Sequence, residues 1–294
     1  MREFFREPSV TQDRMKIPGF SCRNSIYLYW VLDFQEWIKK PRVLDGGVGT
    51  SLCDLGLDLA SETPHSWNQK HASKVEKVHR DFIGAGAEAI HANSFGALST
   101  IDPYGEGRVA AEIANAAAEN DTVVIGSIGP TGKVLGELQR SAQSLATGLI
   151  DGGVHCIHVE TLYEPQETKL LLSTIIDLAS VPVFASVACR VGTEPETILG
   201  QPLSEFLQIL PKGLAAIGVN CGLTPVDAAK ILPTLSSLGL PTIAQPTPAP
   251  DGTRQQSSLA FAQDLVDLLN QGVIMVGGCC GTNFEDIQAV AKAV

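Results

Sequence analysis

Cys221, Cys279 and Cys280 are the residues best placed to do chemistry. Cys221 sits in Gly218-Val219-Asn220-Cys221-Gly222, the other two in Gly277-Gly278-Cys279-Cys280-Gly281-Thr282. Each group directly follows a short β-rich run, at 215–219 and at 273–276. Adjacent cysteines bridge each other poorly, because a disulfide needs its own spacing and dihedral. Flanking glycines let the backbone turn sharply, so that both thiolates can face one point. Sulfurs converging in this way suit a soft or borderline ion. Zinc is the expected metal, with Zn–S bonds of about 2.3 Å and a fourth tetrahedral position left open. A redox pair, or no more than a tight turn at 277–282, is the bland alternative.

The ligand set selects the reaction. Zinc on neutral histidines keeps its charge and activates water. Zinc on three thiolates carries a formal charge of −1 and activates water poorly, yet it can hold an incoming thiol as thiolate. A free thiol with a pKa near 8.5 is only a few per cent ionised at neutral pH, and lowering that value by about 3 units is worth about 4 kcal/mol. Such a site suits methylation of a small thiol. Cys22, Cys53, Cys156 and Cys189 have no comparable neighbours and read as small buried hydrophobes.

The elements that must deliver these sulfurs are legible from residue 42 onward. Apolar runs at 42–44, 89–92, 122–127, 154–160, 181–187, 215–219, 241–244 and 273–276 alternate with segments of helical periodicity. Most runs are continuous rather than alternating, as in strands covered on both faces. Thr224-Pro225, Glu164-Pro165 and Thr282-Asn283 open helices, and Gly84/Gly86, Gly239 and Gly272 close them. Eight βα units imply a single (β/α)8 TIM barrel over 41–294, with an open doubly wound sheet as runner-up. In a barrel the strand C-termini carry the active site, so strands six and eight bring Cys221, Cys279 and Cys280 to one rim. Residues 245–256 should be a long loop. Residues 1–40 stand outside the repeat as an N-terminal extension; Tyr27, Tyr29, Trp30, Phe34 and Trp37 would either plug the barrel bottom or form part of a loose arm.

The Gly-Val-Asn-Cys and Gly-Gly-Cys-Cys-Gly motifs make the chain resemble the homocysteine S-methyltransferase family from about residue 42 to its end. That family includes betaine–homocysteine methyltransferase and the homocysteine domain of cobalamin-dependent methionine synthase. The resemblance implies a barrel with Zn2+ on Cys221, Cys279 and Cys280, and homocysteine sulfur at the open position. It implies no catalytic side chain beyond the zinc site. In 44–50, Asp45 and Gly46 would meet the amino-acid end of homocysteine. Asn93, in 92–97, would lie near the zinc, and Glu160 would hold the substrate ammonium, a charge-assisted contact. The segment 127–132 is closer to the methionine synthase branch, which hints at a separate methyl-corrinoid protein as methyl donor. Gln245-Pro246-Thr247-Pro248 departs from the Pro-Asn segment usual after strand seven.

Other function classes fit less well. A net charge of −11 with no basic block argues against a nucleic-acid partner. The apolar run at 26–32 is too short for a membrane span and lacks a signal-peptide layout. An odd count of 7 cysteines suits a reducing, cytoplasmic setting. His158-x-Glu160 matches half of a zinc deaminase signature, but the Pro-Cys-x-x-Cys half is missing. Strand alternation puts His158 and Glu160 on one face, which favours a substrate or core role for His158. Gly277-Gly278 resembles a barrel phosphate pocket, yet no lysine ends a strand. A non-catalytic zinc- or thiol-binding barrel is the remaining alternative.

Overall fold

The computed structural model describes residues 33–119, 121–131, 135–250, 252–254 and 256–294. Cys22, Tyr27, Tyr29 and Trp30 lie outside them. In chain order the strands are β1 (Arg42–Val43), β2 (Ala89–His91), β3 (Val123–Ile128), β4 (Cys156–Leu162), β5 (Val183–Val187), β6 (Cys189–Val191), β7 (Pro195–Thr197), β8 (Ala216–Asn220), β9 (Thr242–Gln245) and β10 (Met275–Val276). β6 and β7 make a small antiparallel hairpin. The other eight pair in the order β1-β10-β9-β8-β5-β4-β3-β2, every pair parallel. A bridge between Leu44 and Ala89 joins the two ends of that order, and Asp45 N–H donates to the Ala89 carbonyl at 3.0 Å. The result is the (β/α)8 barrel that the continuous apolar runs imply.

The connecting helices start where the polar residues allow. Thr224 Oγ1 accepts from Asp227 N–H at the head of helix Pro225–Ser236. Glu164 does the same for helix Pro165–Leu178. Asn283 and Asp286 form a reciprocal capping box on helix Phe284–Ala293. Gly86, Gly239 and Gly272 take positive φ after helix ends, as the αL stop requires. The fifth connection departs from the repeat. Pro195, Pro202 and Pro211 interrupt any long helix there. The chain makes the β6–β7 hairpin and the short helix Leu203–Phe206 instead. The loop after β9 is long, and its Arg254 forms a forked ion pair with buried Asp286.

Phe34 and Trp37, on the short helix Phe34–Trp37, are buried. They cluster with Ala89, Val123, Cys156, Ala216 and Met275, the residues that begin five of the barrel strands. The Phe34 ring lies 5.0 Å from that of Phe184. Arg42 sits over Trp37, 4.9 Å from the ring centre, and bonds Glu88 at 2.6 Å. These side chains therefore plug the end of the barrel opposite the strand C-termini. Phe34→Ala should cost about 3 kcal/mol through lost burial and a cavity, read as a lower urea midpoint at constant slope. A loss below about 0.5 kcal/mol, typical of surface sites, would show that the plug carries no load. Among the described residues no helix is long and apolar enough to cross a membrane.

Candidate active site

The cysteine rim is built from backbone contacts that only glycine permits. At Gly46 a β-carbon would lie 2.7 Å from the Thr282 carbonyl, and at Gly277 one would lie 2.7 Å from the Asp45 carbonyl. The loops after β1 and β10 therefore lie directly on each other, with Gly278 N–H donating to the Asp45 carbonyl at 3.0 Å. The end of β9 ties both sulfur-bearing loops together. Cys279 N–H donates to the Pro246 carbonyl at 3.0 Å, and Cys221 N–H to the Gln245 carbonyl at 3.2 Å. Thr247 Oγ1 donates to the Cys280 carbonyl at 2.5 Å. The departure at 245–248 thus serves as the frame of the rim.

Cys221 holds φ +56° and Thr161 φ +61°, a left-handed conformation costing on the order of 1 kcal/mol for a residue with a β-carbon. Asn220 over-determines the second. Its side chain accepts from Thr161 N–H at 2.9 Å and donates to Thr161 Oγ1 and to Glu160 Oε2, each at 2.9 Å. One amide therefore couples the end of β8, where Cys221 begins, to the end of β4, where Glu160 stands.

The sulfurs of Cys221, Cys279 and Cys280 lie within 4.8 Å of one another, with Cys221 and Cys280 4.0 Å apart. Three ligands at zinc's Zn–S distance in a tetrahedron would be about 3.8 Å apart, so the trio fits such an ion with small adjustment. Its protonation fits as well. Hydrogen bonds from Cys221 and then Cys279 push the Cys280 thiol down to about 3. The same pairing, with burial, raises Cys279. For Cys221 the bond to Cys279 acts downward, but Cys280 and burial outweigh it and push it up to about 11. One sulfur ionises easily and the others resist. A bound cation would let all three ionise together.

Beneath the rim is a polar layer inside the barrel. Glu160 stands half-buried on β4, accepting from Ser127 Oγ at 2.5 Å and from Asn220 at 2.9 Å. Burial raises its pKa, while His91 and the Ser127 bond oppose the rise. Asp45 is fully buried. Both its oxygens face His91, one accepting from the backbone N–H and one paired with Nδ1, each at 2.7 Å. His91 Nε2 meets His158 Nδ1 at 3.0 Å, and His158 Nε2 meets Ser186 Oγ at 2.7 Å. Atoms of His91, His158 and Glu160 also lie within 4.8 Å of one another, close enough to share a cation.

The structure thus brings Glu160 and the three cysteines to the strand C-termini. It commits Asp45 to His91, and it packs Gly46 under Thr282. Asn93 is buried and holds the 64–68 segment, donating to the Pro64 carbonyl at 2.7 Å and to Asn68 at 3.0 Å. His158 is a buried interior residue, the role that alternation favoured. Cys156 and Cys189 are buried, as lone cysteines should be, whereas Cys53 is only partly buried, its thiol donating to the Gly49 carbonyl of its own helix. Sequence reasoning missed His91, Ser127, Ser186 and Asn220 as working side chains. A polar residue within or ending an apolar run was the only signal for them.

Residues 42–294 match the family model described as homocysteine S-methyltransferase. The methionine synthases of Mycobacterium tuberculosis and Mycobacterium leprae are each 29% identical to the chain, over 87% of its length. The chain spans about a quarter of the length of these curated relatives, 25% and 24%. Among solved structures, the metallated form of the homocysteine methyltransferase MmuM from Escherichia coli superposes with a TM-score of 0.72 at 23% identity, covering 87% of this chain and 97% of that one.

Proposed function

The chain belongs to the homocysteine S-methyltransferase family, and from that premise we propose that it transfers a methyl group to the thiol of homocysteine, giving methionine, with zinc held by Cys221, Cys279 and Cys280. The observation that carries this reading is the convergence of those sulfurs on one rim, coupled through Asn220 to a half-buried carboxylate at Glu160. Zinc bound by three thiolates supplies a position at which an incoming thiol loses its proton and stays electron-rich. Glu160 accepts the substrate ammonium, aligned by Ser127 and Asn220. The backbone around Gly46 borders the amino-acid end, and Asn93 keeps the neighbouring loop in place. The ionised substrate sulfur then attacks the donor methyl carbon: the sulfur–carbon bond forms as the donor–carbon bond breaks. The product is a thioether, which would be a weaker ligand than a thiolate for an ion held by the three cysteines.

The donor is a small methylated compound or a separate methyl-corrinoid protein. The likeness of segment 127–132 to the methionine synthase branch, and the match to about a quarter of the mycobacterial synthases, favour the protein carrier. Zinc K-edge X-ray absorption of the purified protein tests the centre of the proposal. We expect three sulfurs around zinc, rising to four when homocysteine is added. A sulfur count that homocysteine leaves unchanged, or an absence of zinc, would overturn it.

A further inference from the structure

Asp45 and Glu160 put two carboxylates inside the barrel, and neither forms an ion pair with a Lys or Arg among the described residues. Two negative charges in a medium of low polarity repel strongly. The repulsion is relieved by a proton, on an imidazole or on Glu160 itself, or by a cationic ligand; the geometry around His91 favours the imidazole. The chain Asp45–His91–His158–Ser186 is built to take up one proton without losing a hydrogen bond. With both rings neutral, Ser186 donates to His158, His158 Nδ1–H to His91 Nε2, and His91 Nδ1–H to Asp45. With one more proton on His91 Nε2, the two links beyond His91 reverse, while His91 Nδ1–H still donates to Asp45. His91 now donates to His158 Nδ1, and His158 Nε2–H donates to Ser186 Oγ. Every heavy-atom contact, 2.7, 3.0 and 2.7 Å, serves both states.

We propose that His91, carrying that extra proton, is the internal counter-ion of Glu160 while the amino-acid pocket is empty, and that a substrate ammonium arriving at Glu160 displaces the proton. The proposal rests on the reading of Glu160 as the amine-binding acid. The exchange balances: the ligand brings one positive charge, His91 Nε2 gives one proton to solvent, and His158 returns to donating from Nδ1. His91 is thus a positioning residue that keeps the pocket at one net charge whether filled or empty.

The surrounding groups support this division of roles. Burial works against a charged His91 ring, but Asp45 and then Glu160 outweigh it, so its pKa is raised. Burial first, and then His91, hold His158 well below the usual range. His79, facing from helix Ala72–Gly84, is pushed down to about 4 by burial and stays neutral. From the rim the Cys280 thiolate adds negative charge that raises Glu160. The sign follows. Below the raised His91 pKa the proton competes with the ligand amine, so affinity for amine-bearing ligands falls as pH falls, by up to about tenfold per pH unit.

The test is isothermal titration of the metal-loaded protein with L-methionine at about pH 6.5, close to the ordinary histidine pKa, in two buffers of different ionisation enthalpy. Methionine has no thiol proton to lose, and its amine stays protonated. We expect a large fraction of one proton released per methionine by the wild type, falling as the pH is raised. His91→Gln should bind methionine with no release, and 4-(methylthio)butyrate, which lacks the amine, should release none from either protein. Methionine binding without proton release by the wild type would overturn the proposal without any variant, as would equal release by His91→Gln. A metal ion found on His91 and His158 would overturn it too. If the analogue without an amine binds as tightly as methionine, the reading of Glu160 itself fails, a separate result.

Discussion

Cys280→Ser should abolish zinc binding and homocysteine methylation together while leaving the barrel folded. Cys280 is exposed, so serine there removes little packing, and substitutions at such sites are usually within about 0.5 kcal/mol. The loss to the metal is of another order. Serine is a poor ligand for a borderline-soft ion, and two thiolates do not close a stable zinc site. Without the metal the substrate thiol returns to its ordinary pKa, and restoring about 3 units costs about 4 kcal/mol, or roughly 10³ in rate. Zinc content by mass spectrometry, turnover and the thermal midpoint check the three parts together. Cys221→Ala should behave alike, since Cys221 occupies the facing corner 4.0 Å away. Cys189→Ala is the control: that thiol is buried at the start of β6, in the β6–β7 hairpin, and its loss should leave zinc and rate unchanged. Full turnover by Cys280→Ser would end the assignment of the rim as the reaction centre.

The second large effect belongs to Glu160. Glu160→Gln keeps the size of the side chain and the bond from Ser127, but removes the charge. A charged hydrogen bond is worth about 1.5–3 kcal/mol, so kcat/KM for homocysteine should fall about 10- to 100-fold, mainly through KM. Zinc content should not change. The specificity of the loss is what matters. 4-Mercaptobutyrate, the same thiol without its amine, should be methylated slowly by the wild type and hardly more slowly by the variant. Equal losses for both thiols would show that Glu160 only supports the rim through Asn220.

What was legible in the sequence was whatever local patterning decides. The continuous apolar runs marked each strand of the barrel because parallel strands are covered on both faces. Thr224-Pro225 and Glu164-Pro165 marked helix starts, because a cap acts on N–H groups within three residues of itself. The same runs placed Cys221, Cys279, Cys280 and Glu160 at strand ends, where barrel topology brings them to one rim. The fifth connection was less legible. It broke its pattern because prolines at 195, 202 and 211 override a helical period that hydrophobic spacing alone suggests.

By itself, then, the sequence determined the barrel and the delivery of three cysteines to one rim, since these follow from residue type, period and strand order; the role of Glu160 was implied by the family resemblance. The tertiary structure alone decided what the interior polar groups do. Asp45 and His91 are 46 residues apart in sequence, His91 and His158 67, and Asn220 and Thr161 59. Which of them touch depends on the register at which the strands pair and on closure through Leu44 and Ala89. A shift of one residue in that register would turn each of these side chains from the barrel interior to the helix layer. The resemblance implied Asp45 as a substrate contact, and the closed barrel shows a partner that its motif did not reveal, the buried ring of His91.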